Sequence, residues 1–207
     1  MWSVGESSYA KVEDEIFKAM IYQPSEDVFG ACLIQQGNNP HDWWYPQEQL
    51  TKNVTVYNDD QQSLILDFKG KRTSQIEWFS NDTYNRFSNI GILLVGDVGL
   101  DYYNTDTSQP RALLIDIWLD TNPAINEVKH WQGVDDIEND YHSGFPVQTM
   151  AEVGKEYEFR CRLEPFIRES LNHWELELFE LKMVQCYIEA KASRASIEVS
   201  RIIIGIP

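Results

Sequence analysis

Two acids and an indole share one side of an alternating run, Leu113-Leu114-Ile115-Asp116-Ile117-Trp118-Leu119-Asp120. Strand side chains point to opposite faces with period two, so Leu113, Ile115, Ile117 and Leu119 fall on one side. Leu114, Asp116, Trp118 and Asp120 fall on the other. The pattern predicts a strand with a buried back and an open front that carries carboxylates and a large ring. Carboxylates accept hydroxyl hydrogens and a flat ring holds the apolar face of a pyranose, so this front is the floor expected of a carbohydrate groove. Asp116 is the candidate catalytic group, and Trp118 and Asp120 are candidate ligand contacts. A rise of about 3.3 Å per residue puts Asp120 roughly 13 Å along the strand from Asp116, too far for the two to act on one bond. A second carboxylate would have to come from a neighbouring strand, such as Glu175 or Glu177.

Further aromatic residues stand in loop-like settings. His41-Asp42-Trp43-Trp44-Tyr45-Pro46 sets three rings between two prolines, and Trp131 lies in a polar, acidic stretch over 121–150 that reads as a hairpin or ordered flap. Trp43, Trp44, Tyr45 and Trp131 are therefore candidate rim residues for the same ligand. The alternative is that Trp43 and its neighbours cap one end of the core.

Other chemistries find less support. His130 and His142 share the flap with Asp135, Asp136, Glu138 and Asp140, but the stretch reads as a solvated flap and no metal is predicted there. Asp59-Asp60 lacks regular calcium-ligand spacing. No Ser or Cys sits in a nucleophile turn beside a histidine, and no Gly-rich phosphate loop is present, so no cofactor is predicted.

The elements that must position these residues are short strands. Ile16–Ile21 reads as a strand start or a single helical turn, and 28–35 as a strand. Residues 53–57 and 63–69 read as a hairpin, followed by strands over 74–80, 89–95 and 113–120. Beyond the flap, 155–163 alternates with Tyr157, Phe159, Cys161 and Leu163 inward, and 173–181 alternates with Trp174, Leu176 and Leu178 inward. Met183, Tyr187 and Lys191 recur at a helical spacing of four, whereas Val184, Cys186 and Ile188 alternate, and strand is the reading adopted for 182–192. Residues 196–206 form an apolar closing strand. Ten to thirteen strands with almost no helix predict one all-β domain over 1–207, a two-sheet antiparallel sandwich.

Composition sets the partners. With 33 acidic against 17 basic residues and a formal net charge of -16, the surface repels phosphate backbones and anionic lipid, so nucleic acid and membrane are not expected partners. Hydrophobic residues make up 43% of the chain, enough for a large core. Cys32, Cys161 and Cys186 allow at most one internal disulfide, and Cys161 reads as a plain buried thiol. Met1–Ala10 has no basic region leading into an apolar core. Asn53-Val54-Thr55 and Asn81-Asp82-Thr83 match the glycosylation acceptor pattern, and the compartment stays open with a slight lean to extracellular.

The order of segments resembles the family-12 glycoside hydrolases, endo-acting β-glucanases with a curved, concanavalin-like jelly roll. In that family a strand of the form Glu-Ile-Met-aliphatic-Trp carries the nucleophile, and Leu114-Ile115-Asp116-Ile117-Trp118-Leu119 is similar to it. The segment from Tyr157 to Pro165 resembles a later aromatic strand ending in proline, and Ile202–Pro207 resembles the closing strand that leads to the acid/base Glu. The resemblance implies a groove for a polysaccharide or oligosaccharide. This chain departs from it by carrying Leu114 where the family has its nucleophilic Glu and no Glu after Gly205.

Three functions follow for comparison. The first is a carbohydrate-binding sandwich without the usual catalytic Glu pair, and the second a divergent glycoside hydrolase using Asp116. The third is a structural subunit of a virion, filament or surface layer, self-associating through the C-terminal strand as an exposed edge.

Overall fold

The structure is a computed structural model that describes residues 8–27, 29–37, 54–58, 64–100, 110–133, 139–147, 150 and 152–205. Trp43, Trp44 and Tyr45 lie outside the described residues, as do Asn53, Asp135, Asp136 and Glu138.

The described residues form thirteen strands and one helix. In chain order these are β1 (Tyr9–Glu13), β2 (Ile16–Gln23), β3 (Gly30–Gly37), β4 (Val54–Tyr57), β5 (Ile65–Arg72), β6 (Glu77–Trp78), β7 (Phe87–Asp97) and β8 (Leu113–Asn122). They continue with β9 (Lys129–Gln132), β10 (Tyr141–Pro146), β11 (Tyr157–Arg162), α1 (Glu164–His173), β12 (Leu178–Lys191) and β13 (Ser193–Gly205). One sheet runs β1-β2-β13-β5-β11 with β6 beside β13, and the other runs β3-β12-β7-β8-β10-β9 with β4 beside β12. The fold is all-β, a two-sheet jelly roll.

Alternation drives the packing. Phe17, Ala19 and Ile21 of β2, Leu66 and Phe68 of β5, and Ile197 and Val199 of β13 face Ile90, Ile92 and Leu94 of β7, Ile115 and Ile117 of β8, and Cys186 and Ile188 of β12. Each large aliphatic or aromatic side chain buried in this way stabilises the fold by about 1.5–3 kcal/mol relative to leaving it exposed. Cys32, Cys161 and Cys186 are free thiols. Burial pushes Cys32 and Cys161 up to about 11 and Cys186 to about 12.

Several sequence expectations need correction. The 53–57 and 63–69 segments do not pair: β4 joins β12 and β5 joins β13 and β11, one in each sheet. The 74–80 strand shrinks to β6. The closing strand is no free edge over Ser193–Val199, where β2 pairs with it along its length, β6 at its start and β5 at its end. From Arg201 to Gly205 it keeps β5 as its partner.

The helix α1 was not expected. Pro165 occupies its first turn, a position where a missing N–H costs nothing, and Ile167, Ser170 and Leu171 form its buried face. The proline that closes the aromatic strand thus opens a helix. His173 ends α1, so the strand expected from there begins five residues later, at Leu178, and its inward residues are Phe179 and Leu181 instead of Leu178. Trp174 and Leu176 still pack partly buried against the core.

Candidate functional site

The site lies on the face of the seven-stranded sheet turned away from the core. Cross-strand partners share a face, and the registers assemble that face from Asn89, Gly91, Leu93 and Val95 on β7 and Met183, Gln185, Tyr187 and Glu189 on β12. From β8 come Leu114, Asp116 and Trp118, with His142 and Gly144 from β10 and Lys129 and Trp131 from β9.

Two irregularities set which residues appear there. In β8, Ile90 pairs Asp120 while the next residue, Gly91, pairs Trp118, so Leu119 is an extra residue and the alternation reverses. In β12, Leu181 pairs Gly96 and Met183 pairs Val95, so Lys182 is extra and the inward set changes from Phe179 and Leu181 to Val184, Cys186 and Ile188. Beyond Lys182 the strand alternates without a break, so Met183, Tyr187 and Lys191, spaced by four, share the open face with Gln185 and Glu189.

The first reversal corrects the placement of Asp120. It shares the core side with Ile90, is 3% exposed, and forms a buried ion pair with Arg72 of the opposite sheet. Asp120 therefore does not line the open face with Asp116. Burial holds the Arg72 guanidinium down to about 10, and its Nη1 has no hydrogen-bond partner.

The polar centre of the face is Asp116, Tyr187, Asn89 and Glu189. The Tyr187 hydroxyl donates to Asp116 Oδ1 at 2.9 Å and accepts from Asn89 Nδ2 at 3.2 Å. Its ring crosses β7 over Gly91, where a Cβ would stand 2.5 Å from the tyrosine oxygen. Asn89 also bonds the Glu189 carboxyl, while its own Oδ1 is buried with no partner.

Desolvation raises both acids, although each side chain keeps part of its surface at the open face. Burial lifts Asp116 to about 7 against the lowering effect of the Tyr187 hydrogen bond. Glu189 rises to about 8, first through burial and then through the Asp116 charge, with the Asn89 hydrogen bond opposing. The Asp116 charge helps to hold the Glu189 proton, so the two titrate as a pair. Tyr187 is raised well above 10 by burial and by both carboxylates.

Glu175 and Glu177 do not lie on a strand beside Asp116: both are exposed in the turn between α1 and β12. The carboxyl that does share the face with Asp116 is Glu189, which sequence reasoning did not single out. Its signal was available, since Gln185, Tyr187 and Glu189 alternate in the stretch where strand was preferred over helix.

Aromatic residues flank this centre. Trp118 lies across Gly144, where a Cβ would stand 2.2 Å from the indole, and runs parallel to Trp131 with centroids 6.2 Å apart. Trp131 stacks in turn on His142 at 5.0 Å. Trp118 is 6% exposed and Trp131 is 38%, so Trp131 presents the accessible ring and Trp118 supports it. Toward the other end of the face, Leu93, Val95, Ala112, Leu114 and Met183 form a separate apolar cluster. Among the described residues no group of three or more His, Cys, Asp and Glu is placed to hold a metal ion. His130 and His142 occupy opposite faces of the β9–β10 pair.

The two-sheet jelly roll has structural counterparts. No family model and no curated protein matches the chain. Solved structures do. An endo-1,4-β-glucanase, CelB2, superposes with a TM-score of 0.61 at 12% identity, covering 100% of this chain and 89% of that one. A family 12 xyloglucanase from Bacillus licheniformis gives 0.59 at 12% identity over 97% and 84%. A loop-swap mutant of the Neocallimastix patriciarum xylanase Xyn11A gives 0.54 at 10% identity over 99% and 98%. The fold is that of the family 12 and family 11 glycoside hydrolases. The whole chain takes part in this likeness, including the first half, where the sequence carried no family motif.

Proposed function

We propose that this protein binds a β-linked glycan along the open face of the seven-stranded sheet. One observation carries the reading: Asp116, Tyr187, Asn89 and Glu189 form a continuous polar centre beside the exposed Trp131 ring. Pyranose rings need that combination of hydroxyl partners and a flat apolar surface. The likeness to endoglucanase, xyloglucanase and xylanase folds supports the ligand class without fixing it.

Cleavage is the second reading, favoured by the coupled acids. Both carboxyls are raised and coupled, so the pair can hold one proton and one charge, which is the inventory of one acid and one base that glycoside hydrolysis requires. In this role Glu189 would protonate the leaving oxygen and Asp116 would act as nucleophile or activate water. Its register sets Glu189 two strands across from Asp116 and four residues further along β12 than Gln185, so the pair does not stand directly opposed.

The test is to incubate the chain with soluble β-1,4-glucan, xyloglucan and xylan, reading binding by retardation and cleavage by reducing ends. Retardation lost in Trp131→Ala is expected of the binding site. Reducing ends that disappear in both Asp116→Asn and Glu189→Gln, and that decline above about pH 8, would establish hydrolysis. No retardation by any of the three glycans would overturn the proposal.

A further inference from the structure

The β9 strand is four residues long and, among the described residues, lies at the sheet edge and pairs with β10 alone. Backbone pairing of that length holds an edge weakly, yet both of its faces are clamped. On the open side Trp131 meets Trp118 and His142. On the other side His130 stacks on His173, the last residue of α1, with centroids 3.8 Å apart and ring planes 11° from parallel. Trp174 meets both imidazoles edge to face, and Phe145 meets His130.

The hydrogen bonds fit an uncharged His130. The Trp174 indole donates to Ser143 Oγ at 3.2 Å, and the Ser143 hydroxyl, whose hydrogen that bond does not use, lies 2.8 Å from His130 Nδ1. With Ser143 as donor, a neutral His130 carries its hydrogen on Nε2. Two protonated rings in face contact would repel, so the stack accepts at most one charge comfortably.

We infer that the His130–His173 stack is a pH-sensitive latch that fastens β9 to α1 and, through the adjacent residue, sets the position of Trp131 on the open face. The groups around it favour this behaviour. Burial and the His173 charge hold His130 below its ordinary 6.5, and Glu169 of α1 opposes them. On β9 itself Lys129 is paired with Glu127, and on β10 His142 faces the opposite side, against Trp131. Acidification adds a proton that the stack disfavours, the β9–α1 contact loosens, and Trp131 shifts against Trp118. The consequence for a glycan rests on the binding face proposed above; the latch itself does not.

The experiment is an NMR titration of the whole chain from pH 8 to pH 5 without any glycan, following the His130 and His173 ring protons and the Trp131 indole N–H. His142 touches Trp131 directly, so the titration is repeated in His142→Phe and, should that variant lose amide dispersion, in His142→Gln. In either background the Trp131 signal is expected to move with the midpoint of His130, below 6.5. Adding His173→Phe, which keeps a ring but removes the second charge, is expected to abolish that movement. A Trp131 signal that stays constant once His142 is replaced, or that moves equally with Phe at 173, would overturn the latch. Because no sugar is present, failure here is distinct from failure to bind glycans.

Discussion

Tyr187 reaches Asp116 from two strands away, passing over Gly91 to donate its hydroxyl hydrogen at 2.9 Å. The glycine is what permits the crossing, since any side chain at position 91 would meet the tyrosine ring. The bond stabilises ionised Asp116 and so works against the burial that raises it. Removing the hydroxyl by Tyr187→Phe is therefore expected to raise the Asp116 pKa above about 7, measured by carboxyl carbon chemical shifts. Gly91→Ala displaces the ring as well and is expected to cost about 1–3 kcal/mol, the usual penalty for overpacking. An unchanged Asp116 titration in Tyr187→Phe would mean that the hydrogen bond does not control this carboxyl.

The two raised acids predict a pH dependence of stability. Their folded pKa values, about 7 and about 8, lie above the ordinary 3.8 and 4.5, so the folded chain holds protons that the unfolded chain has released. Their contribution is fully present below about pH 4 and is lost as pH rises through 7 and 8. One pKa unit corresponds to about 1.4 kcal/mol. Wild type is thus expected to lose stability relative to the Asp116→Asn/Glu189→Gln double variant as pH rises from 4 to 9. Parallel urea curves at both pH values would refute the shifts. Asp116→Asn alone should fold, because Asp116 stands on the open face.

Much of this architecture was legible in the sequence because period-two alternation survives wherever a strand has one buried face. The strand class of β5, β8 and β11 followed from it directly, and so did the sandwich, whereas β2 was left between strand and helical turn and β12 was preferred as strand against a competing helical spacing. Asp116 and Trp118 were correctly placed together. Asp120 was misplaced because the bulge at Leu119 leaves no mark in the sequence: the run alternates without a break, and the reversal arises from pairing with Ile90 and Gly91. Glu189 was overlooked although Gln185, Tyr187 and Glu189 alternate regularly beyond the extra residue at Lys182, because a helical spacing of four fits the same residues. Strand pairing was the least legible feature. Nothing local in residues 54–72 indicates that β4 and β5 belong to different sheets, because that choice is made by β12 and β13 more than a hundred residues later.

Asp120 belongs to the interior together with Arg72, and breaking the pair has a calculable direction. Each charge is almost fully buried, so removing one leaves the other without compensation. Asp120→Ala and Arg72→Ala are each expected to destabilise by about 3–5 kcal/mol, whereas replacing both with apolar residues of similar volume should recover much of the loss. Chemical denaturation of the single and double variants tests this. If the double variant is as unstable as the sum of the singles, the two residues are not energetically coupled.

Trp118 and Trp131 run parallel, yet they should respond differently to substitution. Trp118 is packed over Gly144, so Trp118→Ala empties a filled site and is expected to cost about 3–5 kcal/mol. Gly144→Ala forces the same ring away from the other side and should destabilise by about 1–3 kcal/mol. Trp131 is more than a third exposed, and its truncation should change stability far less, by about 1 kcal/mol for the lost ring contacts. Glycan retardation should follow the opposite order, with Trp131→Ala abolishing binding in a chain that remains folded. Urea midpoints set beside retardation for the three variants separate support from contact. Were Trp131→Ala to unfold the chain while Trp118→Ala left it stable, the roles of the two indoles would be reversed.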